Sequence, residues 1–148
     1  MYKILVADDE KNIREVIREY AEFEGHEVKE AVDGMQVVEM AKNEDFDIII
    51  LDPPAFAKRH QDRHRGLGGY KFLNAEAIKR IAKGGLLFTF SCSQAVDKAT
   101  FQGIVTAAAI EAKRNVRIVD QLSQPADHPI NIFHPEGAYL KGLMLYVE

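Results

Sequence analysis

The run Phe46-Asp47-Ile48-Ile49-Ile50-Leu51 constrains this chain more than any other stretch. Three consecutive isoleucines favour an extended backbone, and a strand with apolar side chains on both faces needs cover on both. Pro53-Pro54 follows at once, and proline cannot continue a central strand. The strand therefore stops at Asp52 and leaves a carboxylate at its tip. The residues before it repeat the theme. Lys3 to Ala7 (KILVA) is a second short buried strand, ending in Asp8, Asp9 and Glu10. Ile13, Val16, Ile17, Tyr20 and Ala21 keep helical spacing, and Gly25 can end that helix with a positive φ. His26 to Val32 reads as a strand, Asp33-Gly34 as a turn, and Val37 to Ala41 as a helix. The first third is β-α-β-α-β.

After Asp52 the composition shifts. Lys58 to Gly69 (KRHQDRHRGLGG) is polar, basic and glycine-rich, and reads as a long loop. Phe72 to Ala82 is a helix closed by Lys83-Gly84-Gly85, and Leu86 to Phe90 a buried strand ending at Ser91-Cys92-Ser93. Phe101, Ile104, Val105, Ala108, Ala109 and Ala112 trace one helical face. Val116 to Leu122 is a strand, Ser123 to Gly137 a proline-bearing loop, and Leu140 to Val147 a last strand. Strands separated by helices imply a mostly parallel sheet with helices on both faces. The fold class expected is α/β, a doubly wound three-layer sandwich of flavodoxin or Rossmann type. No helix separates the last two strands, so the sixth should run antiparallel, in the order 2-1-3-4-6-5.

The 148 residues fit one α/β domain over 1–148, and 47% apolar with 28% charged residues is ordinary for a globular chain. A net charge of -4 argues against strong nucleic-acid binding, which needs a basic footprint. Cys92 is the lone cysteine and can form no internal disulfide. No stretch is long and apolar enough for a membrane span and no signal peptide is visible, so a cytoplasmic location is expected.

K-I-L-V-A-D-D-E at the start, E-G-H-E-V, A-x-D-G and F-D-I-I-I-L-D together resemble the receiver domain of bacterial response regulators, over about residues 1–52. Asp8, Asp9 and Asp52 all stand at carboxyl ends of parallel strands, where such folds place their sites. Carboxylates gathered there repel one another, and a hard cation such as Mg²⁺ relieves that. The resemblance implies that Asp52 is the phosphoryl acceptor and that Asp8 and Asp9 hold the metal. It also implies a lysine at the end of a fifth strand. No K-P-F-type segment exists here, and Lys141 is no residue-by-residue match.

From about Phe46 onward the motifs change. D-P-P-A-F at 52–56, G-Y at 69–70, G-G-L-L-F-T-F-S-C-S at 84–93, A-D-H-P at 126–129, P-E-G at 135–137 and Y-L-K-G at 139–142 resemble class I S-adenosylmethionine-dependent methyltransferases, most closely the 23S rRNA cytosine-5 type. That resemblance implies that Cys92 attacks the cytosine ring and that Asp52-Pro53-Pro54 positions the flipped base. A thiolate is needed because C5 becomes nucleophilic only once C6 carries an adduct. The resemblance also implies a glycine-rich cofactor turn after the first strand, where this chain has A-D-D-E-K-N; Asp8 and Asp9 would repel the cofactor's carboxylate.

Asp52 belongs to both motif sets. The reading is an engineered chimera, receiver-like over 1–52 and methyltransferase-like over 53–148, with both parental sites incomplete. No enzymatic activity, no cofactor and no S-adenosylmethionine binding are expected, with Asp52 and Cys92 as relics. The residual function open to it is an Mg²⁺ pocket of Asp8, Asp9 and Asp52, with phosphoacceptor or RNA methyltransferase fragment as alternatives. Glu30 and Asp33 read as surface acids before ribose ligands, His60 and His64 as solvated before a metal pair, and His128 as a turn residue. No partner is expected, except that two halves without a shared history leave apolar surface a homodimer could cover.

Overall fold

The computed structural model describes residues 1–54 and 63–148. Its elements are β1 (Lys3–Asp8), α1 (Lys11–Phe23), β2 (Glu27–Ala31), α2 (Gly34–Asn43), β3 (Ile48–Asp52), α3 (Arg63–Arg80), β4 (Gly85–Ser91), α4 (Lys98–Ala112), β5 (Val116–Leu122), a short 3-10 turn (Pro135–Gly137) and β6 (Lys141–Val147). They build one six-stranded sheet in the order β2-β1-β3-β4-β6-β5, with β6 antiparallel to both neighbours. The topology expected from the sequence is the one observed.

Two local readings are corrected. The segment 63–69 is helical, forming the first turns of α3; only residues 58–62 of the expected loop lie outside the described ones. Asp33-Gly34 is a helix start rather than a separate turn. Asp33 is the N-cap of α2 and its carboxylate accepts from the Gln36 amide at 2.9 Å. The long segment after β5 does lack regular structure, apart from its 3-10 turn, and is mostly exposed.

Alternation along the strands assigns the faces. One face carries Leu5, Ile49, Leu51, Leu87, Leu143, Leu145 and Val147, all buried beneath helices α2, α3 and α4. That core is continuous across the join, with Val37 of α2 and Ile49 of β3 in one cluster with Tyr70, Ile78, Phe101 and Leu145. Gly34 at the start of α2 lets the Leu73 side chain of α3 approach, and a Cβ there would sit 2.5 Å from Leu73 Cδ2.

The opposite face is covered unequally. Strand register aligns Ile4, Ile48, Leu86, Tyr146 and Arg117 in one row and Val6, Ile50, Phe88, Met144 and Asp120 in the next. Helix α1 packs over β1 and β2, and Ile4 and Val6 beneath it are buried. Beyond α1, Ile48, Ile50, Leu86, Phe88 and Met144 are only half-buried and Tyr146 is exposed. The helix itself faces the sheet with Arg14, Ile17, Arg18 and Ala21, and leaves Val16, Tyr20 and Phe23 52%, 74% and 87% exposed.

Candidate functional site

Parallel pairing of β1 with β3 places Asp8 directly beside Asp52 at the carboxyl edge of the sheet. This is also where the strand order reverses direction, the usual seat of a ligand in open α/β sheets. Asp8 is buried, and its Oδ1 accepts from the Glu10 amide at 2.8 Å. Arg14 Nη1 holds the Asp8 carbonyl at 2.7 Å, so the guanidinium serves the backbone and not the carboxylate. Burial pushes the Asp52 carboxyl up to about 7, helped by the charge of Asp8 and a hydrogen bond to it. Burial raises Asp8 as well, but its bond with Asp52 works the other way. The pair thus holds a proton more tightly than an ordinary carboxylate does.

Asp9 stands apart. Successive residues at a strand end point to opposite sides; Asp8 turns inward and Asp9 is exposed. Asp9 still raises both neighbours through its charge. Among the described residues no three carboxylate, imidazole or thiol side chains are placed to hold one metal ion. Asp8 and Asp52 are thus adjacent on paired strands, with Asp9 beside them at the same edge. Two carboxylates still suit Mg²⁺, which keeps several waters and needs only one or two such ligands.

Cys92 lies just past β4, half-buried, and its thiol is raised by burial and then by the Asp52 charge. Both effects disfavour the thiolate that nucleophilic attack needs. Lys141 was set aside as a positional mismatch, yet antiparallel β6 begins at the same edge and pairs Lys141 with Ser91. The signal was the missing crossover helix, which brings the start of the last strand to the carboxyl ends of the others. Its buried ammonium donates to the carbonyls of Ser93 (2.5 Å) and Val96 (2.7 Å), tying down the loop after β4. Burial lowers its pKa.

Other residues singled out in the sequence have structural partners. Glu30 accepts from Arg14 Nε at 3.2 Å and from Arg18 Nη1, and Asp33 caps α2. The His128 amide closes a turn on the Pro125 carbonyl at 3.0 Å. His64 is exposed on the first turn of α3, and His60 lies outside the described residues. The crevice bounded by Ala7, Asp9, Asp33, Val37, Leu51 and Pro53 is where the resemblance implies a methyl-donor cofactor. Asp8, Asp9 and Asp33 are among the residues that line it, so its wall is acidic.

Comparison with known proteins divides the chain as the motifs do. The family model "Response regulator receiver domain" matches residues 4–53. Ribosomal RNA large subunit methyltransferase I of Aeromonas salmonicida is 46% identical over 104 residues, 70% of this chain and 26% of that protein. Its counterpart from Photobacterium profundum is 42% identical over 107 residues, 72% of this chain and 27% of that protein. The chain thus spans about a quarter of the length of the curated relatives it matches. A Streptococcus mutans structure described as a SAM-dependent methyltransferase superposes with a TM-score of 0.70 at 18% identity, covering 99% of this chain and 44% of that one, which shows the fold. These findings correct one expectation. The chain was read as non-enzymatic, but the relatives matched at 42–46% identity are named methyltransferases, which places an enzymatic family behind that portion. Receiver and methyltransferase matches together exceed the chain's 148 residues, so they overlap. The chain is a chimera in which a receiver-like piece and a piece similar to ribosomal RNA methyltransferases share residues within one sheet.

Proposed function

We propose that this chain is an engineered composite forming one domain over 1–148, and that its best-supported function is a residual receiver-like pocket for a hard divalent cation. The single observation carrying the pocket is the Asp8–Asp52 pair, where burial, with the Asp8 charge beside it, pushes Asp52 up to about 7. A carboxylate pair that retains a proton near neutrality gains most from a cation, and Mg²⁺ with its waters suits two such ligands. In the phosphoacceptor form of this reading Asp52 takes the phosphoryl group. Lys141 is then no substitute for a receiver lysine, because its ammonium is engaged by Ser93 and Val96. Engineered origin is supported by two families meeting within one strand; a natural gene carrying the same junction would overturn it. A cytoplasmic location accompanies this reading.

Calorimetric titration with Mg²⁺ at pH 6 and pH 8 tests the pocket. Binding should be tighter at pH 8, where Asp52 has lost its proton, and should vanish in Asp8→Asn. Absence of binding at pH 8 discards the pocket. A second reading, methyl transfer to ribosomal RNA through Cys92, is supported by the names and identity of the relatives. Incubation with ribosomal RNA and methyl-labelled S-adenosylmethionine tests it. Label that appears with the parent chain and is lost in Cys92→Ser supports this reading, and no label removes it.

A further inference from the structure

Six strands at a spacing of about 4.8 Å make a sheet roughly 24 Å across, and covering one face takes about two helices some 10 Å wide. Among the described residues the open face has α1 alone, lying over β1 and β2. Beside it runs a groove of ≈ 310 Å³, walled by Ile13 and Ile17 of α1 and by Val6, Ile50, Phe88 and Phe90 of the sheet, with the Asp8–Asp52 pair at its carboxyl end. Among the described residues this layer holds one helix where the sheet has room for two.

The helix already present has more apolar surface than its own sheet uses. Turning about 100° per residue, the side chains pass from the groove to the outward pole in the order Ile17, Ile13, Tyr20, Val16, Phe23. Lys11, Glu15, Glu19 and Glu22 occupy the opposite flank, away from the groove. The spare stripe therefore points both at the vacant half of the sheet and away from it.

We infer that this face is the interface of a homodimer in which each copy supplies the helix the other lacks. A two-fold axis parallel to the strands sets the two α1 helices side by side in a shared layer between two sheets. Ile13, Ile17 and Tyr20 then meet their counterparts across the axis, while Val16 and Phe23 reach Phe88, Met144 and Tyr146 of the second copy. The contact is isologous and closes on itself. Charge agrees with this arrangement. Helix α1 runs opposite to β1, so Glu19 and Glu22 lie near the amino ends of the parallel strands. Arg117 stands at that same end on the open face of β5, in the row of Ile4 and Tyr146; its Nε pairs with Glu148 at 2.9 Å, and its side chain, 75% exposed, keeps guanidinium donors for a second acid. The axis brings the acidic flank of one α1 over the Arg117 of the second copy. A strip about 15 by 20 Å plus the free half of α1 is of the same order as the roughly 800 Å² per partner of a standard interface. A different protein would have to bring its own apolar helix, whereas a second copy already carries one.

Sedimentation equilibrium over a concentration series tests this. The parent chain should approach twice its 16.7 kDa mass. Val16→Glu, at an exposed helical position, should weaken the dimer about tenfold or more with its circular dichroism unchanged. Arg117→Glu should weaken it too, and adding Glu22→Lys should restore part of the loss. A chain that stays monomeric throughout overturns the inference. So does a dimer indifferent to both Val16→Glu and Arg117→Glu, which would place the contact elsewhere.

Discussion

Asp52 carries the largest electrostatic tension in the chain, and its sign can be followed through to stability. Its folded-state pKa of about 7 lies above the ordinary value of 3.8. The native state therefore binds the proton more tightly than the unfolded chain between those values. The stability contributed by this proton is fully present below about pH 4 and is lost as the pH rises through about 7. Asp52→Asn keeps the hydrogen-bonding shape and removes the charge. It should stabilise the protein at pH 8 by on the order of 2 kcal/mol and have little effect near pH 4. Urea unfolding of both forms across pH measures this, and equal gains at both pH values would show that the buried Asp52 charge is not the source. The same substitution should lower the Cys92 thiol pKa, since Asp52 is one of the charges holding it up.

Among the elements, β4 shows how two sequences of separate history meet. It pairs with β3 along Ile48–Leu86 to Leu51–Thr89 and contributes Leu87 to the common core. Thr89 is fully buried, and its hydroxyl has no hydrogen-bond partner among the described residues. Replacing it with valine removes an unsatisfied polar group at nearly constant volume. Thr89→Val should therefore stabilise the fold by about 1 kcal/mol, read as a shift of the urea midpoint at constant slope. A loss of stability instead would reveal a role for that hydroxyl. The elements also show what the sequence made legible. Apolar runs of strand length, helical spacing and the missing helix before Leu140 were enough for the strand order and the direction of β6. The start of α3 was hidden because Gly66, Gly68 and Gly69 have low helix propensity. Burial of Leu67 and Tyr70 against the core outweighs that. Asp8 and Asp52 were legible as a site from their strand ends. The place of Lys141 was not, because it depends on antiparallel pairing and not on any local motif.

For the whole molecule, the join leaves one core and one open face. Residues from before and after Asp52 occupy the same hydrophobic cluster, so neither portion has a complete interior of its own. Unfolding should accordingly be a single transition, with fluorescence and circular dichroism coincident and one urea slope. Two separable transitions would show that the portions fold independently despite the shared sheet. Gly34→Ala probes the same coupling, because its new Cβ presses on Leu73 across the join; a cost of about 1–2 kcal/mol is expected.

The position of β6 has a further consequence. It lies between β4 and β5, and among the described residues β5 pairs with no other strand. During synthesis, β1 to β4 can assemble in order as they leave the ribosome, but residues 116–122 emerge before residues 141–147 and have nothing to pair with until those appear. The nascent chain therefore passes through a stage with an unpaired apolar strand and a bare edge on β4. Chaperone demand and the yield of soluble protein should thus depend more on how promptly 141–147 dock than on the stability of the finished fold.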